Sequence, residues 1–366
     1  MKLVVSKEEM LSKLSNIQNI VEKKNTMPIL SHFLLDAGKQ GSYIVATDLD
    51  TALKEPLNAK VEKEGRICIP ARKMFEIVKE VEGDLICETI DDQWLKLKAG
   101  ASSFRLACLS SQEFPAWPGM EDMQELSVKS GVLVEAIEKT VYASGENDTR
   151  YTLNGILFHI QNGNKMTVVG TDGHRLAIII REINGSVPDE NRLIIPRKAS
   201  TELRKLLDKF GDDTKITVGK NHVLFTVGDI QFLTRLIEGT YPNYEQVIPA
   251  ANDKRLIVNR AALVKTIRRV SIMSKEQTRG VKVEVAENLI KISSSNPDLG
   301  EANDEIAAEY TGEELTLGFN SGYLLDILEV MDSEKIIMEM QASLSPVLVK
   351  DEQDENYRCV IMPMRI

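Results

Sequence analysis

Apolar residues recur every three or four positions in several stretches of the chain, which is the spacing of a helix with one buried face. Ser6 and Glu9 open the first stretch as a capping box, the pair that satisfies free backbone N–H groups at a helix start. Its apolar positions are Met10, Leu11, Leu14, Ile17, Ile20 and Val21. The helices predicted in this way cover residues 7–24, 70–82, 130–144, 196–209, 259–274 and 320–332.

Short runs rich in aliphatic residues lie between the predicted helices, as in ILFHI at 156–160 and MTVVG at 166–170. Gly, Asn and Asp bound these runs, which is typical of strands joined by turns. The segment VVGTDGHRLAIII at 168–180 predicts two strands joined at a tight turn, which Asp172-Gly173 favours. Helix pairs alternating with antiparallel strands predict an α+β fold.

The same order of landmarks occurs three times along the chain, which indicates an internal repeat. Each copy begins with a strand that leads into a helix, continues with a strand, a turn and a second helix, and ends with a residue–proline step. Ser6 and Asp48 are as far apart as Ser130 and Asp172. The residue–proline steps are Phe114-Pro115, Tyr241-Pro242 and Met362-Pro363. We predict three equivalent domains, near residues 1–121, 127–250 and 252–366.

Composition is that of an ordinary globular protein, with 43% hydrophobic and 27% charged residues. Four scattered cysteines favour a reducing compartment over a disulfide framework or a zinc site: Cys68, Cys87, Cys108 and Cys359. The N-terminus MKLVVSKEEM lacks an apolar stretch of signal-peptide length, and no apolar run is long enough to span a membrane. We therefore expect a cytoplasmic protein without a membrane partner.

The net charge of −10 argues against a nucleic-acid partner until the distribution of charge is considered. The predicted helices at 196–209 and 259–274 carry an excess of positive charge away from their apolar stripes. Their basic residues include Arg197, Lys198, Arg204 and Lys205, and Lys265, Arg268 and Arg269. A solvated helix face is the alternative for either helix alone. Together, set against acidic strands and loops, they indicate a positive helical face toward DNA and sheets toward water.

Several segments stand out by their order along the chain: NTMPILSHFLL at 25–35, IPARK at 69–73, NDTRYTLNGI at 147–156, GTDGHRLA at 170–177, IPRK at 195–198, TYPNYEQVIP at 240–249 and the terminal VIMPMRI. From Met1 to Ile366 they resemble the bacterial DNA polymerase III beta subunit family, the sliding clamps. TDGHRLA together with the C-terminal MPMR is the most specific pair. The resemblance implies three clamp domains per chain and a head-to-tail homodimeric ring, with helices lining the inside and antiparallel sheets outside.

The function implied is that of a processivity factor, which encircles duplex DNA and tethers the replicative polymerase. Such a protein must slide, and phosphate contacts permit sliding because they do not depend on base sequence. A closed ring stays on DNA because it encircles the duplex, so tight binding is not needed. A modestly positive lining is then sufficient and is compatible with an acidic exterior.

The family pattern also implies two sets of functional residues. The DNA contacts would be Lys24, Arg72, Asn147, Tyr151, Thr152, Arg197 and Lys198. The partner-peptide pocket would be Leu153, Thr171, Gly173, His174, Arg175, Leu176, Pro242, Val247, Val360, Met362, Pro363 and Met364. The family often has arginine where Lys24 and Gln246 stand, and an aromatic residue where Thr152 stands. The implied partners are duplex DNA, the DNA polymerase III alpha subunit, the clamp loader, and other polymerases and repair proteins that carry short linear peptides.

A subunit seam is expected between the first and third copies, with an apolar centre and opposite charges around it. It would join Lys73, Phe104, Leu106 and Lys98 to Ile272, Met273, Glu301, Asp304 and Glu305. The alternative for any one of these positions, and for the pocket and DNA sets, is an ordinary core or surface residue. The acidic run DEQDE at 351–355 is interpreted as a solvated loop.

Two other classes of function remain open from the residues alone. An enzyme is disfavoured because the sequence has no GxxxxGK, HExxH or GxSxG motif and no paired-cysteine spacing. His174 beside Asp172 is interpreted as a hairpin residue, so we expect no catalytic residues, no metal and no cofactor. A scaffold that binds peptides without DNA is the second alternative, and retention on circular DNA would distinguish it from a clamp.

Overall fold

The computed structural model describes residues 1–22, 27–120, 123–161, 163–187, 190–210 and 213–365. Within these ranges the α-helices are α1 Lys7–Ile17, α2 Ala71–Glu80, α3 Ser130–Val141, α4 Arg197–Phe210, α5 Arg260–Ser271 and α6 Ser321–Glu329. The strands of the first repeat are β1 Lys2–Val5, β2 His32–Gly38, β3 Gly41–Thr47, β4 Thr51–Leu57, β5 Lys60–Lys63, β6 Gly65–Pro70, β7 Leu85–Thr89, β8 Trp94–Ala99 and β9 Ser102–Ala107.

The second and third repeats contain the remaining strands. Those of the second are β10 Gln124–Lys129, β11 Gly155–Ile160, β12 Gly163–Thr171, β13 Arg175–Val187, β14 Asn191–Pro196, β15 Asp213–Val218, β16 His222–Val227 and β17 Ile230–Arg235. Those of the third are β18 Lys254–Asn259, β19 Gly280–Ala286, β20 Leu289–Asn296, β21 Gly300–Ala307, β22 Leu315–Asn320, β23 Lys335–Met340, β24 Val347–Asp351 and β25 Tyr357–Ile361.

Each repeat builds two antiparallel sheets with the same strand order. The first repeat forms β1-β7-β8-β9, with β5 beside β1, and β4-β3-β2-β6. The second forms β10-β15-β16-β17 and β13-β12-β11-β14. The third forms β18-β23-β24-β25 and β21-β20-β19-β22. The predicted α+β class and the threefold repeat are therefore confirmed.

The chain divides into two compact units, each of which contains strands from two neighbouring repeats. The first unit is Met1–Gly131 with Glu202–Leu236, and the second is Val132–Thr201 with Ile237–Ile366. In the first unit β17 pairs with β4, so that Leu233 lies opposite Ala52. In the second unit β25 pairs with β13, so that Val360 lies opposite Leu176. In both units the last strand of one repeat therefore extends a sheet of the repeat before it.

The helices bury one face each, as the apolar spacing predicts. In α1 the buried residues include Met10, Leu14 and Ile17, and the helix packs against α2 and β4. In α5 the stripe of Leu263, Ile267 and Val270 is buried, and the helix packs against α6 and β21.

The predicted length of the first helix was wrong. The helix ends at Ile17 instead of residue 24, because Ile20 and Val21 both donate their N–H groups to the Ile17 carbonyl and form a turn there. Ile20 and Val21 are nevertheless buried, so the apolar spacing continues past the point where the helix stops. Only half of the predicted capping box forms: Ser6 Oγ accepts the Glu9 N–H at 3.2 Å, whereas the Glu9 carboxylate accepts from Asn58 N at 3.0 Å.

All four cysteines are buried free thiols. Burial raises the pKa of Cys87 to about 12 and that of Cys359 to about 11, so these thiols stay protonated and serve as small apolar side chains. No helix within the described residues is long and apolar enough to cross a membrane.

Candidate functional site

The turn between β12 and β13 is held by its own side chains. Thr171 Oγ1 donates to the Arg175 carbonyl at 2.7 Å and accepts the Gly173 N–H at 3.1 Å. Asp172 Oδ1 accepts the N–H groups of His174 and Arg175 at 2.9 and 3.0 Å. Gly173 has a φ of +84°, which glycine adopts without strain. The tight turn predicted at Asp172-Gly173 is confirmed.

A cavity of about 150 Å3 opens beside this turn, and we call it the Leu176 pocket. Its apolar wall is built where Leu176 on β13 lies opposite Val360 on β25, and both side chains are buried. Met362 is 38% exposed and flanks this wall. The lining residues are Arg150, Leu153, Thr171, Gly173, His174, Arg175, Leu176, Pro242, Tyr244, Val247, Val360 and Met362. A concave, mostly aliphatic site with a flexible thioether suits apolar side chains of varied shape.

Arg175 forms a fixed, charged part of the pocket wall. Its Nε lies 3.1 Å from Asp172 Oδ2, its Nη1 lies 2.5 Å from Asp326 Oδ2, and its Nη2 donates to the Tyr142 carbonyl at 2.7 Å. The guanidinium carbon lies 4.4 Å from the centroid of the Tyr323 ring. All three nitrogens of the guanidinium are therefore bonded, and one of its faces lies against Tyr323. Because Asp172 belongs to the turn and Asp326 and Tyr323 belong to α6, Arg175 links the turn to α6 beside the pocket.

Arg150 lies against the outer side of the same turn. It donates to both carboxylate oxygens of Asp148, at 3.0 and 2.8 Å, and to the Asp172 carbonyl at 2.9 Å. The hydrogen bonds from Arg150 lower the pKa of Asp148 to about 2. A Cβ at position 173 would lie 2.8 Å from Arg150 Nη1, so any larger residue here would require the Arg150 side chain to shift. His174 stacks on Tyr323, with ring centroids 6.2 Å apart.

The structure brings ten of the twelve predicted pocket residues to this cavity. The other two lie beyond it: Pro363 follows Met362 along the tail, and Met364 lines a separate cavity with Lys275 and Arg365. The prediction missed two lining residues, Arg150 and Tyr244. Arg150 lies in the motif NDTRYTLNGI and Tyr244 in the motif TYPNYEQVIP, and membership in these motifs was the sequence feature that could have identified them.

Tyr244 is held in the wall by a buried polar contact. Its hydroxyl lies 2.9 Å from His159 Nδ1, and His159 Nε2 lies 2.7 Å from Glu190. Burial raises the pKa of Tyr244, which keeps its hydroxyl protonated for this contact.

The predicted DNA-contact residues occupy loops and helix starts. Asn147, with a φ of +59°, shares one loop with Tyr151, which is 63% exposed, and with the partly exposed Thr152. Arg72 lies in the first turn of α2, and its side chain is 77% exposed and pairs with Glu76 at 3.1 Å. Lys24 lies outside the described residues.

Arg197 and Lys198 adjoin in sequence but have different surroundings. The Arg197 Nη1 donates to the carbonyls of Val141 and Ser144 at 2.8 and 2.6 Å, and to Ser144 Oγ at 3.1 Å. It thereby satisfies carbonyls at the C-terminal end of α3, which have no partner within the helix. Lys198 is exposed.

Replacing Arg197 with alanine is expected to reduce the free energy of unfolding by roughly 2 kcal/mol, because the carbonyls at the end of α3 lose a charged donor. Lys198→Ala serves as the matched control and is expected to change stability by less than about 0.5 kcal/mol. Urea denaturation of both variants checks this, and equal stabilities would contradict the role of Arg197 at the helix end. A DNA defect of Arg197→Ala must therefore be corrected for its effect on the fold.

Many of the basic residues on the helices are paired with acids. Lys205 pairs with Glu202 at 2.7 Å. On α5, Arg268 pairs with Glu329 at 2.7 Å and Arg269 with Asp304 at 2.5 Å. The positive face predicted from sequence is therefore partly neutralised, on α4 by an acid of the same helix and on α5 by acids more than thirty positions away in the chain.

The predicted seam residues lie on two edge strands and their surroundings. Phe104 and Leu106 are on β9, and Lys98 is on the adjacent β8. Lys73 on α2 pairs with Glu76 at 2.6 Å. Glu301, Asp304 and Glu305 are on β21, whereas Ile272 and Met273 follow α5. Ile272 is 75% exposed, which is unusual for a large aliphatic side chain.

The described part of the chain holds no group of three or more His, Cys, Asp or Glu side chains placed to bind a metal ion. The His174 ring stacks on Tyr323, and its backbone N–H donates to Asp172 within the turn. The chemistry that the arrangement supports is the binding of an apolar ligand beside a fixed arginine.

Comparison with known proteins covers the whole chain. Three family descriptions match: "DNA polymerase III beta subunit, N-terminal domain" over residues 1–118, "central domain" over 127–243 and "C-terminal domain" over 245–365. The beta sliding clamp of Pseudomonas aeruginosa is 33% identical, and the alignment covers 100% of both chains. The solved sliding clamp of Bartonella birtlesii is 34% identical, with a TM-score of 0.96 and 100% of each chain covered. That of Bacillus subtilis is 27% identical, with a TM-score of 0.94, covering 100% of this chain and 99% of the other.

The repeated α+β domains and their sheet order define a DNA-clamp fold. The chain belongs to the bacterial DNA polymerase III beta subunit family, the beta sliding clamps. Its function is that of a DNA sliding clamp of the replicative polymerase, a non-catalytic subunit, and the enzyme and DNA-free scaffold alternatives are set aside.

Proposed function

We propose that two copies of this chain close head to tail into a ring through strands β9 and β21. The observation that carries the proposal is the pairing between repeats. Strand β17 of the second repeat pairs with β4 of the first, and β25 of the third pairs with β13 of the second. By the same rule β9, the last strand of the first repeat, should pair with β21, the counterpart of β4 and β13 in the third. A heterologous contact of this kind closes into a ring when its rotation permits.

The charges near the two strands support this pairing. Lys98 and Arg105 lie on or beside β9, and Arg105 covers the Trp94 ring at 4.1 Å. Glu301 and Glu305 lie on β21. Opposite charges around an apolar centre that contains Phe104 and Ile272 would favour one register and exclude like-charged pairings.

DNA passes through this ring and is contacted through its phosphates. The contact set proposed is that of the sequence analysis: Lys24, Arg72, Asn147, Tyr151, Thr152, Arg197 and Lys198. Arg72 illustrates the weak binding that sliding requires, because its pairing with Glu76 is largely exposed and a phosphate can replace the carboxylate at little cost. Contacts of this kind carry no base-sequence information.

The Leu176 pocket binds short linear peptides of the DNA polymerase III alpha subunit, the clamp loader, other polymerases and repair proteins. Its support is the combination of aliphatic wall, exposed Met362 and fixed Arg175. Sliding clamps of Pseudomonas aeruginosa and Bartonella birtlesii have been solved bound to griselimycin, so clamps of this family accept a ligand. We further propose that the chain acts in the bacterial cytoplasm and that its domains extend over 1–121, 127–250 and 252–366.

Retention on circular DNA tests encirclement directly. The protein is loaded by its clamp loader onto a nicked circular plasmid and isolated by gel filtration at high salt. Most of the bound protein is expected to remain on the circle, because topology does not weaken with salt as phosphate contacts do. Cutting the plasmid with a restriction enzyme should release it. Equal retention on circular and linear DNA would contradict the ring.

A further inference from the structure

A second turn in the chain repeats the hydrogen bonds of the turn that borders the Leu176 pocket. It joins β3 to β4. Thr47 Oγ1 donates to the Thr51 carbonyl at 2.9 Å and accepts the Leu49 N–H at 3.0 Å. Asp48 Oδ1 accepts the N–H groups of Asp50 and Thr51 at 3.1 and 2.7 Å. Each of these bonds has a counterpart one repeat later, in the turn between β12 and β13.

The surroundings of this turn are equivalent as well. Ala52 on β4 lies opposite Leu233 on β17, as Leu176 lies opposite Val360 in the second unit. The residue–proline step Phe114-Pro115 lies beside the turn, as Pro242 lies beside the other. The same elements therefore enclose a site at the same place in two successive repeats.

A cavity of about 130 Å3 lies there, and we call it the Ala52 pocket. It lies within the first compact unit. Its lining residues are Val45, Thr47, Leu49, Asp50, Thr51, Ala52, Phe114, Pro115, Ala116, Trp117, Pro118 and Leu233. Proline, tryptophan and aliphatic side chains supply a rigid apolar wall for an extended segment.

Leu49 is held in a conformation that glycine occupies in the other turn. Its φ is +81°, against +84° for Gly173, and it is a large apolar residue with 50% of its surface exposed. A leucine with positive φ is strained, and strain of this kind is found at ligand contacts more often than elsewhere. The leucine adds an apolar surface to the Ala52 pocket that the Leu176 pocket lacks at this position.

The two pockets differ in the charged and titratable residues that line them. Arg150, His174 and Arg175 line the Leu176 pocket. Among the described residues that line the Ala52 pocket, Asp50 is the charged one, and it occupies the position that His174 has in the other turn. A ligand with a basic residue next to its apolar anchor would complement this charge.

We propose that the Ala52 pocket is a second docking site, which takes a short linear peptide of a partner protein with apolar and basic residues. The inference rests on the proposed peptide-binding role of the Leu176 pocket and extends it to a differently charged site. The clamp would then hold two different partners on one chain at once, each in its own compact unit.

Two labelled peptides, Lys-Leu-Lys-Leu-Tyr and Glu-Leu-Glu-Leu-Tyr, test the proposal by fluorescence anisotropy on the full-length protein. Met362→Asp is introduced first, to impair the Leu176 pocket. The lysine peptide is expected to bind this variant about tenfold more tightly than the glutamate peptide. Adding Asp50→Lys should reverse the preference, and Asp50→Asn should abolish it. If neither Asp50 variant alters the preference, the proposal is overturned.

Photo-crosslinking locates the bound peptide independently of affinity. A lysine peptide with benzophenylalanine in place of its tyrosine is irradiated with the same variant, and the crosslinked fragments are identified by mass spectrometry. Crosslinks within 45–52 or 114–118, or at Leu233, support the Ala52 pocket, whereas crosslinks confined to other segments overturn it. Because this readout does not involve the Leu176 pocket, failure of the polymerase-peptide assignment there would be seen separately.

Leu49→Gly gives a second variant that should fold. Glycine relaxes the left-handed backbone, so the thermal midpoint is expected to stay the same or rise. Affinity for the lysine peptide is expected to fall about fivefold, because an apolar contact is removed. Unchanged affinity would contradict the contact assigned to Leu49.

Discussion

Substituting aspartate for Met362 is expected to weaken binding of a peptide from the DNA polymerase III alpha subunit by at least about a hundredfold. The new carboxylate would have to be buried against Leu176 and Val360 when the peptide fills the pocket. Met362 is partly exposed in the free protein and its backbone N–H bonds to the His174 carbonyl, which aspartate preserves. The fold should therefore survive, unlike in Leu176→Asp, where the charge would enter the core.

Met123→Asp is the matched control, since it introduces the same change at an exposed methionine outside the pocket. Isothermal titration of the parent and both variants with the peptide measures the effect. Retained affinity in Met362→Asp would remove the Leu176 pocket from the peptide-binding proposal, and an equal loss in Met123→Asp would show that the effect is one of net charge.

The repeat and its turns could be predicted because their determinants are local. Thr171, Asp172 and Gly173 form the turn through bonds among residues at most four positions apart. Residues so close in sequence specify their own geometry, and the same pattern therefore marks each copy. The stripe of buried residues in α5 is local in the same sense, since it follows from the helical spacing alone.

The features that sequence reasoning missed depend on distant contacts. Tyr244 is held in the pocket wall by the contact of its hydroxyl with His159. Arg197 donates to a carbonyl at the end of α3, which precedes it by more than fifty residues. No local pattern encodes either partner. The end of α1 at Ile17 was missed for a related reason. The apolar spacing indicates which residues are buried, and Ile20 is buried although it lies in the turn that follows the helix.

The pairing between repeats was also out of reach of the sequence, yet it gives the most specific structural argument for the ring. Ala52 opposite Leu233 and Leu176 opposite Val360 are the same contact made twice. Within the described residues β9 and β21 each form the edge of a sheet, and the proposed pairing between them would continue the same contact into a second copy. Under this proposal, fold and assembly would follow the same rule of strand pairing.

Replacing Ile272 with aspartate is expected to convert the dimer into monomers of 40.9 kDa, as measured by light scattering. Ile272 is highly exposed in the isolated chain, so the substitution should leave the fold intact. In the ring it would place a carboxylate in the apolar centre of the seam, on the same side as Glu301 and Glu305. A closed ring has two identical seams, so a penalty of roughly 2 kcal/mol in each amounts to about a thousandfold in the dimer equilibrium.

Leu344→Asp serves as the control, because it charges an isomeric, exposed side chain outside the predicted seam. It should remain dimeric and should be retained on circular DNA, whereas Ile272→Asp should be lost from circular and linear DNA alike. Both variants should bind the polymerase peptide with the parent affinity, since the Leu176 pocket lies within one chain. A dimer that persists in Ile272→Asp would place the seam elsewhere, and pairing of β9 with β21 would then have to be abandoned.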